Sequence, residues 1–394
     1  GPGGDDNPVA GGSGGGAVGL NVPGTLRVDG RISSDGGSGD FRSGLIVTYG
    51  SGGGSGGSIY ITTGNLTGSG VISAKGGNGG FGPPPSGGVA RLGGGGAGGR
   101  VAIYARTSGF SGTFQAQGGI GHKAGEDGTV LEFLGNEYQN VRVISGNVKV
   151  SGTYQSLPVA GGTATVAAGT TLSVTEASVT SGNVVVEKGA VFEAAGLTLS
   201  AGGRLTNQGE ARVENITFNT GTLMNEGIAS WVASAFLAGA NTVTNAGQMD
   251  VPAFVLRSVD FIQRGRLNIA DGQMTIDAGG KLIADTPLRI DNMIIKSGGI
   301  LTHSPNVDKE ESRIQVTAGN LTVNAGGSIN VDGMGFQGHR FWGNEDNGPG
   351  GGASGSGFYS TTGGGGGYGG RGGRSRDALG GLTYGSAAFP VDLG

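Results

Sequence analysis

The sequence has no cysteine, few histidines and little charge. Charged residues make up 14% of the 394 residues, and the formal net charge is −4. The missing cysteines exclude disulfides, thiolate metal sites and cysteine nucleophiles. The slightly acidic balance argues against a nucleic-acid partner, since such a partner requires a basic surface. No apolar run reaches the roughly eighteen residues of a transmembrane helix, so membrane insertion is not expected.

Glycine is what the sequence has in excess, with 92 residues. These glycines alternate with Ile, Val, Leu and Phe in strand-like order, which favours ordered structure over a disordered low-complexity chain. A glycine run followed by short strands and a turn occurs in copies that begin near Gly11, Gly52 and Gly94. After its glycine run, each copy takes about twenty residues, a period typical of stacked solenoid repeats.

Long glycine runs stop near Val141, and short alternating strands with glycine-containing turns continue to Val331. A Leu-x-Asn-x-Gly pattern recurs around Asn207, Asn225 and Asn245, with Val in place of Leu in the third copy. No stretch has helical periodicity with caps. We therefore expect glycine-rich β-helix rungs over residues 1–128, regular rungs of about 18–24 residues over 129–333, and an aromatic loop with a glycine-rich segment over 334–394.

The expected fold is all-β, a parallel β-helix (β-solenoid). Stacked rungs would bury a continuous aliphatic core and pair their backbones with one another. A right-handed coil is expected from the general chirality of parallel crossovers. The glycine runs are expected to form polyproline-II-like tracts packed on or beside the helix, since glycine permits very close backbone approach. The alternative is that they are flexible surface loops.

Two motifs carry a family resemblance that covers most of the chain as a pattern. The glycine run before Ser58-Ile59-Tyr60-Ile61 and the later Ile72-Ser73-Ala74-Lys75-Gly76-Gly77 resemble glycine-rich modules of very large exported bacterial surface proteins. The Leu-x-Asn-x-Gly repeats resemble β-helical adhesins of the filamentous-haemagglutinin kind. This resemblance implies export, a stalk or surface role, and often adhesion. It supplies no functional residue to carry over, and the amino-terminal secretion motif of such haemagglutinins is not evident.

The asparagine column is the first candidate site. Asn207, Asn225 and Asn245, continued by Asp271 and Asp285, would stack on successive rungs, and carboxylates one rung apart would lie near the ~5 Å separation used by retaining glycosidases. The alternative is a ladder of turn residues that bond the backbone. Most members are amides and no basic partner recurs beside them, which favours the ladder.

A stretch from Phe336 to Asn347 mixes aromatic, charged and amide side chains and is the candidate glycan-binding loop. The alternative is a loop whose aromatic residues plug the side of the helix. The candidate ligand-binding residues are Phe336, His339, Arg340, Phe341 and Trp342.

Paired carboxylates could supply oxygen ligands to Ca²⁺, which is the one candidate cofactor. None of the pairs matches a known calcium loop, and solvated surface charge is the alternative. The candidate ligands are Glu126, Asp127, Glu345 and Asp346.

The beginning and the end of the sequence resemble each other, and no capping helix is evident. An uncapped solenoid exposes unpaired strand edges, which favours end-to-end pairing. The candidate assembly residues are Pro8, Val9, Pro390, Val391 and Leu393.

Together these features predict a non-enzymatic structural or adhesive β-solenoid module. It would be secreted to the extracellular space or cell surface, and its partners would be copies of itself, neighbouring modules of the same chain, or surface glycans. The alternative is a polysaccharide-binding module or a polysaccharide-degrading β-helix enzyme, which would rest on analogy of fold alone.

Overall fold

The computed structural model describes residues 9–44, 47–84, 86–231, 235–306, 312–336, 366–369, 371–375, 378–380 and 382–383. Throughout these residues the regular secondary structure is β-strand. No helix among them is long and apolar enough to cross a membrane. The chain divides into two compact units, Gly1–Val232 and Ala233–Gly394. The boundaries predicted at residues 128 and 333 follow composition rather than compactness, and they stay predictions.

Parallel strands in long sheets make up the first unit. The strands of this unit are β1 (Ala17–Arg27), β2 (Arg31–Ser33), β3 (Phe41–Ser43), β4 (Val47–Gly50), β5 (Ser58–Thr67), β6 (Val71–Ser73), β7 (Val89–Arg91), β8 (Arg100–Ser108), β9 (Thr113–Gln115), β10 (Thr129–Leu134), β11 (Asn140–Ser145), β12 (Asn147–Lys149), β13 (Gly152–Val159), β14 (Thr163–Val166), β15 (Thr171–Thr180), β16 (Asn183–Val186), β17 (Val191–Ser200), β18 (Arg204–Asn207), β19 (Glu210–Asn219), β20 (Thr222–Asn225) and β21 (Ile228–Trp231).

The sheets of this unit follow a regular order. The longest runs β1-β5-β8-β10-β11-β13-β15-β17-β19-β21, and a second runs β12-β14-β16-β18-β20. Two small sheets have the orders β2-β6-β9 and β3-β4-β7. Antiparallel pairing occurs between β10 and β11 and between β3 and β4. Strands that return to the same sheet after one circuit of the chain are compatible with a β-solenoid.

The second unit is also built of parallel β-strands. Its strands are β22 (Ala235–Asn245), β23 (Gln248–Val251), β24 (Phe254–Gln263), β25 (Arg266–Ile269), β26 (Gln273–Ile276), β27 (Lys281–Ala284), β28 (Leu288–Ile295), β29 (Ile300–Thr302), β30 (Val316–Val323) and β31 (Ser328–Ile329). One sheet pairs β22-β24-β26-β28-β30, with β27 joining β24 to β29 and β29 pairing β31, while β23 pairs β25. The pairings within this unit are parallel.

Each long strand of the regular rungs supplies two sides of its rung. In β15, Leu172 and Val174 are buried, the next two residues are exposed, and then Ala177 and Val179 are buried. Two exposed residues in succession break the alternation of a flat strand and mark a corner, so both halves face the core. Equivalent positions stack in register from β15 to β17 and from β17 to β19. The aliphatic core therefore runs along the stack, as expected for a repeat whose single rung cannot bury its own apolar face.

Glycine-rich segments of the first unit lie side by side in two rows, defined here by their hydrogen bonds. Segments 11–16, 52–57, 93–99 and 123–128 form the first row, and segments 34–40, 73–80 and 115–121 form the second. Bonds within the first row join Gly12 N to Gly52 O, Gly53 N to Gly94 O and Gly95 N to Lys123 O, each 2.9 Å long.

Hydrogen bonding in these segments repeats every third residue. Within segment 93–99, Gly93, Gly96 and Gly99 donate to carbonyls of the second row, whereas Gly95 and Gly98 donate within the first row. The remaining residues of the segment point outward and are exposed. Two residues of each period thus donate backbone hydrogen bonds to other segments and the third faces outward, so the segments form a hydrogen-bonded block.

Close packing explains why glycine is required at certain positions of this block. A Cβ at Gly96 would lie 2.0 Å from the carbonyl oxygen of Gly54, closer than atoms can approach. A Cβ at Gly94, two residues earlier, would lie 4.0 Å from the carbonyl oxygen of Lys123, which is an ordinary van der Waals distance. Neither residue has the left-handed backbone that would strain a substitution by itself. The two positions therefore differ in the space available for a side chain, and neither has a left-handed backbone.

We expect Gly96→Ala to destabilise the chain by roughly 1–3 kcal/mol, because the added methyl group must push two neighbouring segments of the first row apart. Gly94→Ala is the matched control and should be neutral or slightly stabilising. Urea unfolding of both variants, followed by circular dichroism, measures the difference. Equal stability of the two variants would contradict the packed block.

One carboxylate joins consecutive segments of the second row. Asp35 accepts hydrogen bonds from Ser73 Oγ at 2.5 Å and from Lys75 N at 2.7 Å, and Arg31 also donates to it. Burial by itself would raise the pKa of Asp35, but the hydrogen bonds from Ser73, Lys75 and Arg31 outweigh burial and lower this pKa. A lowered folded-state pKa means that the ionised carboxylate stabilises the native state.

This stabilisation should be present above the unfolded-state pKa of about 3.9 and lost as the pH falls through the lower, folded-state pKa. We expect Asp35→Asn to lose about 1–3 kcal/mol at neutral pH. Its unfolding free energy should then fall less steeply below pH 4 than that of the wild type. Urea titrations between pH 2 and 7 test this, with Asp40→Asn as an exposed control. A mutant with the same acid slope as the wild type would show that Asp35 does not carry the effect.

Candidate functional site

The asparagine column of the first unit is a buried pair of amides. Asn207 and Asn225 are both fully buried. Asn207 Nδ2 donates to Asn225 Oδ1 at 2.8 Å and to the carbonyl oxygen of Ile228 at 2.8 Å. Since the side chains are amides in the interior, with no carboxylate stacked on them, they form a structural ladder.

Gln263 extends this type of ladder in the second unit. Asn245 Nδ2 donates to Gln263 Oε1 at 3.0 Å and to the carbonyl oxygen of Arg266 at 3.0 Å. The next position in register is Ala284. The predicted continuation through Asp271 and Asp285 is therefore wrong. Asp271 follows β25 in a turn, and Asp285 lies one residue past the register position, where it accepts from Ser304 N at 2.7 Å.

Turn length explains why amides occupy this register. Where the residue at this register is Val166 or Val186, four residues separate it from the next strand, but only two follow Asn207 or Gln263. The longer turns close with their own backbone bond, such as Ala190 N to Glu187 O at 2.9 Å. The shorter turns have no room for that bond, and the amide side chain bonds the backbone instead. Short turns and amides are thus one feature, visible in the sequence as Asn-x-Gly or Gln-x-Gly.

We expect Asn207→Leu to cost roughly 1–3 kcal/mol of stability, because Asn225 Oδ1 and the carbonyl of Ile228 would each lose a buried donor. Gln208→Leu makes the same amide-to-leucine change at an exposed neighbour and should lie within about 0.5 kcal/mol of the wild type. Denaturant unfolding compares the two. A larger loss for Gln208→Leu would contradict a structural role for the buried amides.

Most of the predicted aromatic loop lies outside the described residues. Phe336 is half-buried next to the end of the described rungs. His339, Arg340, Phe341 and Trp342 fall outside the described part of the chain, so the glycan-binding role of this loop stays a prediction.

The predicted calcium ligands are divided in the same way. Asp127 is exposed and accepts from Gly118 N at 2.9 Å, and Glu126 is exposed beside it. Glu345 and Asp346 lie outside the described residues. Among the residues that the structure describes, no three His, Cys, Asp or Glu side chains are grouped so that they could hold a metal ion. Calcium binding stays a prediction.

The predicted assembly residues are mostly outside the described part as well. Val9 is half-buried at its beginning. Pro8, Pro390, Val391 and Leu393 are not among the described residues. Their role in end-to-end contact stays a prediction.

Core side chains are exposed where the described rungs of the second unit end. Leu321, Val323, Ile329 and Val331 are 42% to 45% exposed. One rung earlier, the residues in register with the first three, which are Met293, Ile295 and Leu301, are at most 1% exposed. The last described rung is thus built like a core rung, and no strand of the described residues is stacked on its outer side. Its strands β30 and β31 also end their pairing paths.

Strand β1 of the first unit also has inward side chains that are incompletely covered. Its inward side chains Val18, Leu20 and Leu26 are only partly buried against the core. The residues in register with them one rung further on, Ile59, Ile61 and Leu66, are at most 1% exposed. Strand β1 is also the first strand of its sheet, and so it offers a parallel edge.

Several carboxylates along the rungs are engaged by arginine. Buried Glu132 bonds Arg142 at 3.0 Å, and Asp285 bonds Arg264 at 3.1 Å. Glu193 and Glu210 both bond Arg212 at 2.8 Å. The pairs Glu132–Arg142 and Glu193–Arg212 join neighbouring strands, whereas Glu210 lies on the same strand as Arg212 and the pair Arg264–Asp285 joins two turns.

Sequence reasoning missed an aromatic cluster in the first unit. Tyr104 stacks on Phe133 with ring centroids 4.6 Å apart and planes inclined by 9°. Tyr60 lies 5.5 Å from Tyr104 on the other side, and Tyr138 meets Tyr104 edge-on at 5.1 Å. The signal was present, because aligning the glycine-rich copies places Tyr60 opposite Ala102 and so one step from Tyr104.

No protein-family model matches the chain, and no curated protein or solved structure is significantly similar to it.

Proposed function

We propose that the chain is a non-enzymatic structural or adhesive β-solenoid module of an extracellular or cell-surface protein, which stacks end to end on copies of itself or on neighbouring modules. The observation that carries this proposal is the exposed core of the last described rung. Leu321, Val323 and Ile329 occupy positions that are fully buried one rung earlier. Covering such side chains with another rung would restore the burial that the repeat provides elsewhere.

The partner surface of this proposal is the beginning of a second copy. Strands β30 and β31 offer unpaired edges, and such an edge can accept a further parallel strand. Strand β1 has such an edge, together with the half-buried Val18, Leu20 and Leu26. A contact between two different surfaces is heterologous, and it continues into a filament unless the rotation between copies closes a ring.

The solenoid of this proposal is right-handed, and its glycine segments are polyproline-II-like tracts that stiffen one side. The three-residue period of hydrogen bonds and exposure in segment 93–99 supports these tracts, since a polyproline II helix has about three residues per turn. The handedness rests on the general chirality of parallel crossovers.

A structural role agrees with the use of polar groups along the rungs. The buried amides at Asn207 and Asn245 bond the backbone, and Glu132 and Asp285 bond arginines. A polysaccharide-degrading enzyme would need carboxylates that converge on a substrate instead of on the fold. These contacts therefore favour the non-enzymatic reading.

We expect the purified wild-type chain to assemble as its concentration rises, and Leu321→Lys to raise the concentration needed by at least about tenfold, because a charged group would then have to enter the stacked core. Thr322→Lys adds the same charge on the same strand but on the side away from the core, and it should assemble like the wild type. Sedimentation velocity over a concentration series gives the mass, and electron microscopy shows whether fibres form.

Far-UV circular dichroism of the three proteins is the folding control. Discrete wild-type monomers at every concentration would overturn the stacking proposal. Equal assembly of the wild type and Leu321→Lys would show that the contact uses another surface.

A further inference from the structure

Half of the chain's eight tyrosines gather at one place in the first unit. Tyr60, Tyr104 and Tyr138 are in ring contact with one another through Tyr104. The pKa of Tyr104 is raised, first by burial and then by the nearby hydroxyls of Tyr60, Tyr154 and Tyr138. The phenol groups therefore converge, although the residues come from separate stretches of the chain. Phe133 completes the cluster as the apolar floor under Tyr104.

The two central rings project away from the core of the glycine-rich half. Along β8, Val101, Ile103 and Ala105 are buried, and the intervening residues lie on the opposite face. Tyr104 is on that opposite face, and alternation around buried Ile59 and Ile61 places Tyr60 there too. The tyrosines are therefore not part of the aliphatic core that holds this half together.

Backbone strain accompanies the cluster. Tyr138 has a φ of 54°, in the left-handed region that bulky residues rarely adopt. It lies in the connection between β10 and β11, where its N–H bonds the carbonyl of Gly135 at 3.2 Å. A glycine would satisfy this turn without strain. Tyrosine at this position instead sets its ring edge-on against Tyr104, which offsets part of the cost.

One ring of the cluster is open to solvent on its outer side. Tyr60 is 52% exposed. Its neighbour in register on β1 is Gly19, and a Cβ built there meets no atom within 4 Å. The next outward residue of β1 is Asn21, which is exposed. Beside the Tyr60 ring there is thus room for a flat ligand, with an amide close by.

Two arginines flank this aromatic surface. Arg100 and Arg106 are exposed and alternate with Tyr104 on the same face of β8. Neither takes part in an ion pair among the described residues, unlike Arg142 or Arg212. Arg100 and Arg106 are six residue steps apart, over which an extended strand spans about 20 Å. That length accommodates several sugar units in a row.

We propose that Tyr60, Tyr104 and Tyr138, flanked by Arg100 and Arg106, form a binding site for a polysaccharide that carries carboxylate groups. The apolar faces of pyranose rings stack on aromatic rings, and sugar hydroxyls exchange hydrogen bonds with phenols and amides. Guanidinium groups bind carboxylates through charge-assisted hydrogen bonds. This site goes beyond the stacking function and uses a surface other than the exposed rung around Leu321.

Single-stranded nucleic acid is the competing class of ligand, since bases also stack on aromatic rings. Such binding needs a positively charged groove that follows many phosphates, and the chain carries a net charge of −4. Two arginines separated by tyrosines fit the sparser charge of a carboxylated glycan better. The acidic polysaccharide is therefore the ligand that the surface favours.

Affinity electrophoresis of the full chain in gels that contain polygalacturonate tests the site, with neutral dextran and single-stranded polyuridylate in parallel gels. We expect polygalacturonate to retard the wild type and dextran to leave it unretarded. Tyr60→Ala should weaken binding by about 3- to 10-fold, the range that corresponds to one aromatic contact. Tyr49→Ala removes a tyrosine of similar exposure, 49%, from the small sheet and should bind normally.

A second pair of variants keeps Tyr60 in place. Gly19→Ile should cover the open ring and weaken binding, whereas Gly24→Ile, on the same strand and also next to open space, should not. Arg106→Gln should reduce retardation by polygalacturonate and lower its dependence on salt.

The proposal is overturned by equal retardation in dextran, by stronger retardation in polyuridylate, or by normal binding of both Tyr60→Ala and Gly19→Ile. Sedimentation of these variants should match that of the wild type, because the exposed rung is unchanged. A failure of glycan binding can thus be told apart from a failure of assembly.

Discussion

The backbone hydrogen bond between neighbouring circuits of the chain is the interaction on which the structure depends. In the strands it joins each rung to the next in parallel register, as between β15 and β17. In the glycine segments it joins extended backbones directly, as from Gly96 N to Gly77 O at 2.9 Å. A strand forms such bonds only with the strands on its two sides, and its side chains fill the space on its two faces. The glycine segments bond in more than two directions because they have no side chains to separate them. The same backbone hydrogen bond therefore holds together two kinds of stack, one of β-strands and one of glycine segments.

Each way of stacking sets its own demand on the sequence. The strands need an apolar residue at every second position, and the corner in β15 preserves this demand by inserting one extra exposed residue. The glycine segments need a residue without a side chain wherever another backbone lies against it, as at Gly96, but tolerate side chains on the outward positions, as at Ala97. A third requirement arises where a turn is too short to form its own backbone hydrogen bond. There the side-chain amides of Asn207 and Gln263 donate to backbone carbonyls instead. Composition is thus tied to position more tightly than the low complexity of the sequence suggests.

These demands decide how much could be predicted. The all-β fold with parallel strands follows from alternation and period, because both are local in sequence. The pairing of segments does not, since Gly54 and Gly77 are equivalent glycines whose partners depend on the path of the chain between them. The stacking of Asn207 on Asn225 was predicted because the spacing repeats, whereas the equivalent bond from Asn245 to Gln263 was missed, because glutamine makes this contact with a longer side chain. The tyrosine cluster was missed for a different reason. Tyr60 and Tyr138 are far apart in sequence, and both contact Tyr104 only because β5, β8 and β10 are neighbours.

A stack with such properties can carry function on two kinds of surface. Strand β1 of the first unit and the last described rung of the second unit expose core residues and strand edges, which favours the addition of further rungs. The sides of the stack are fixed by the rungs behind them and can display a side chain at a chosen register without disturbing the core. The cluster at Tyr104 uses a side, and it includes the strained backbone of Tyr138, for which the stacking of rungs provides no reason. Backbone strain that the fold does not require is better explained by the side chain that it positions, here the ring of Tyr138. For this reason the side of the first unit, and not only its end, is where recognition of another molecule is expected.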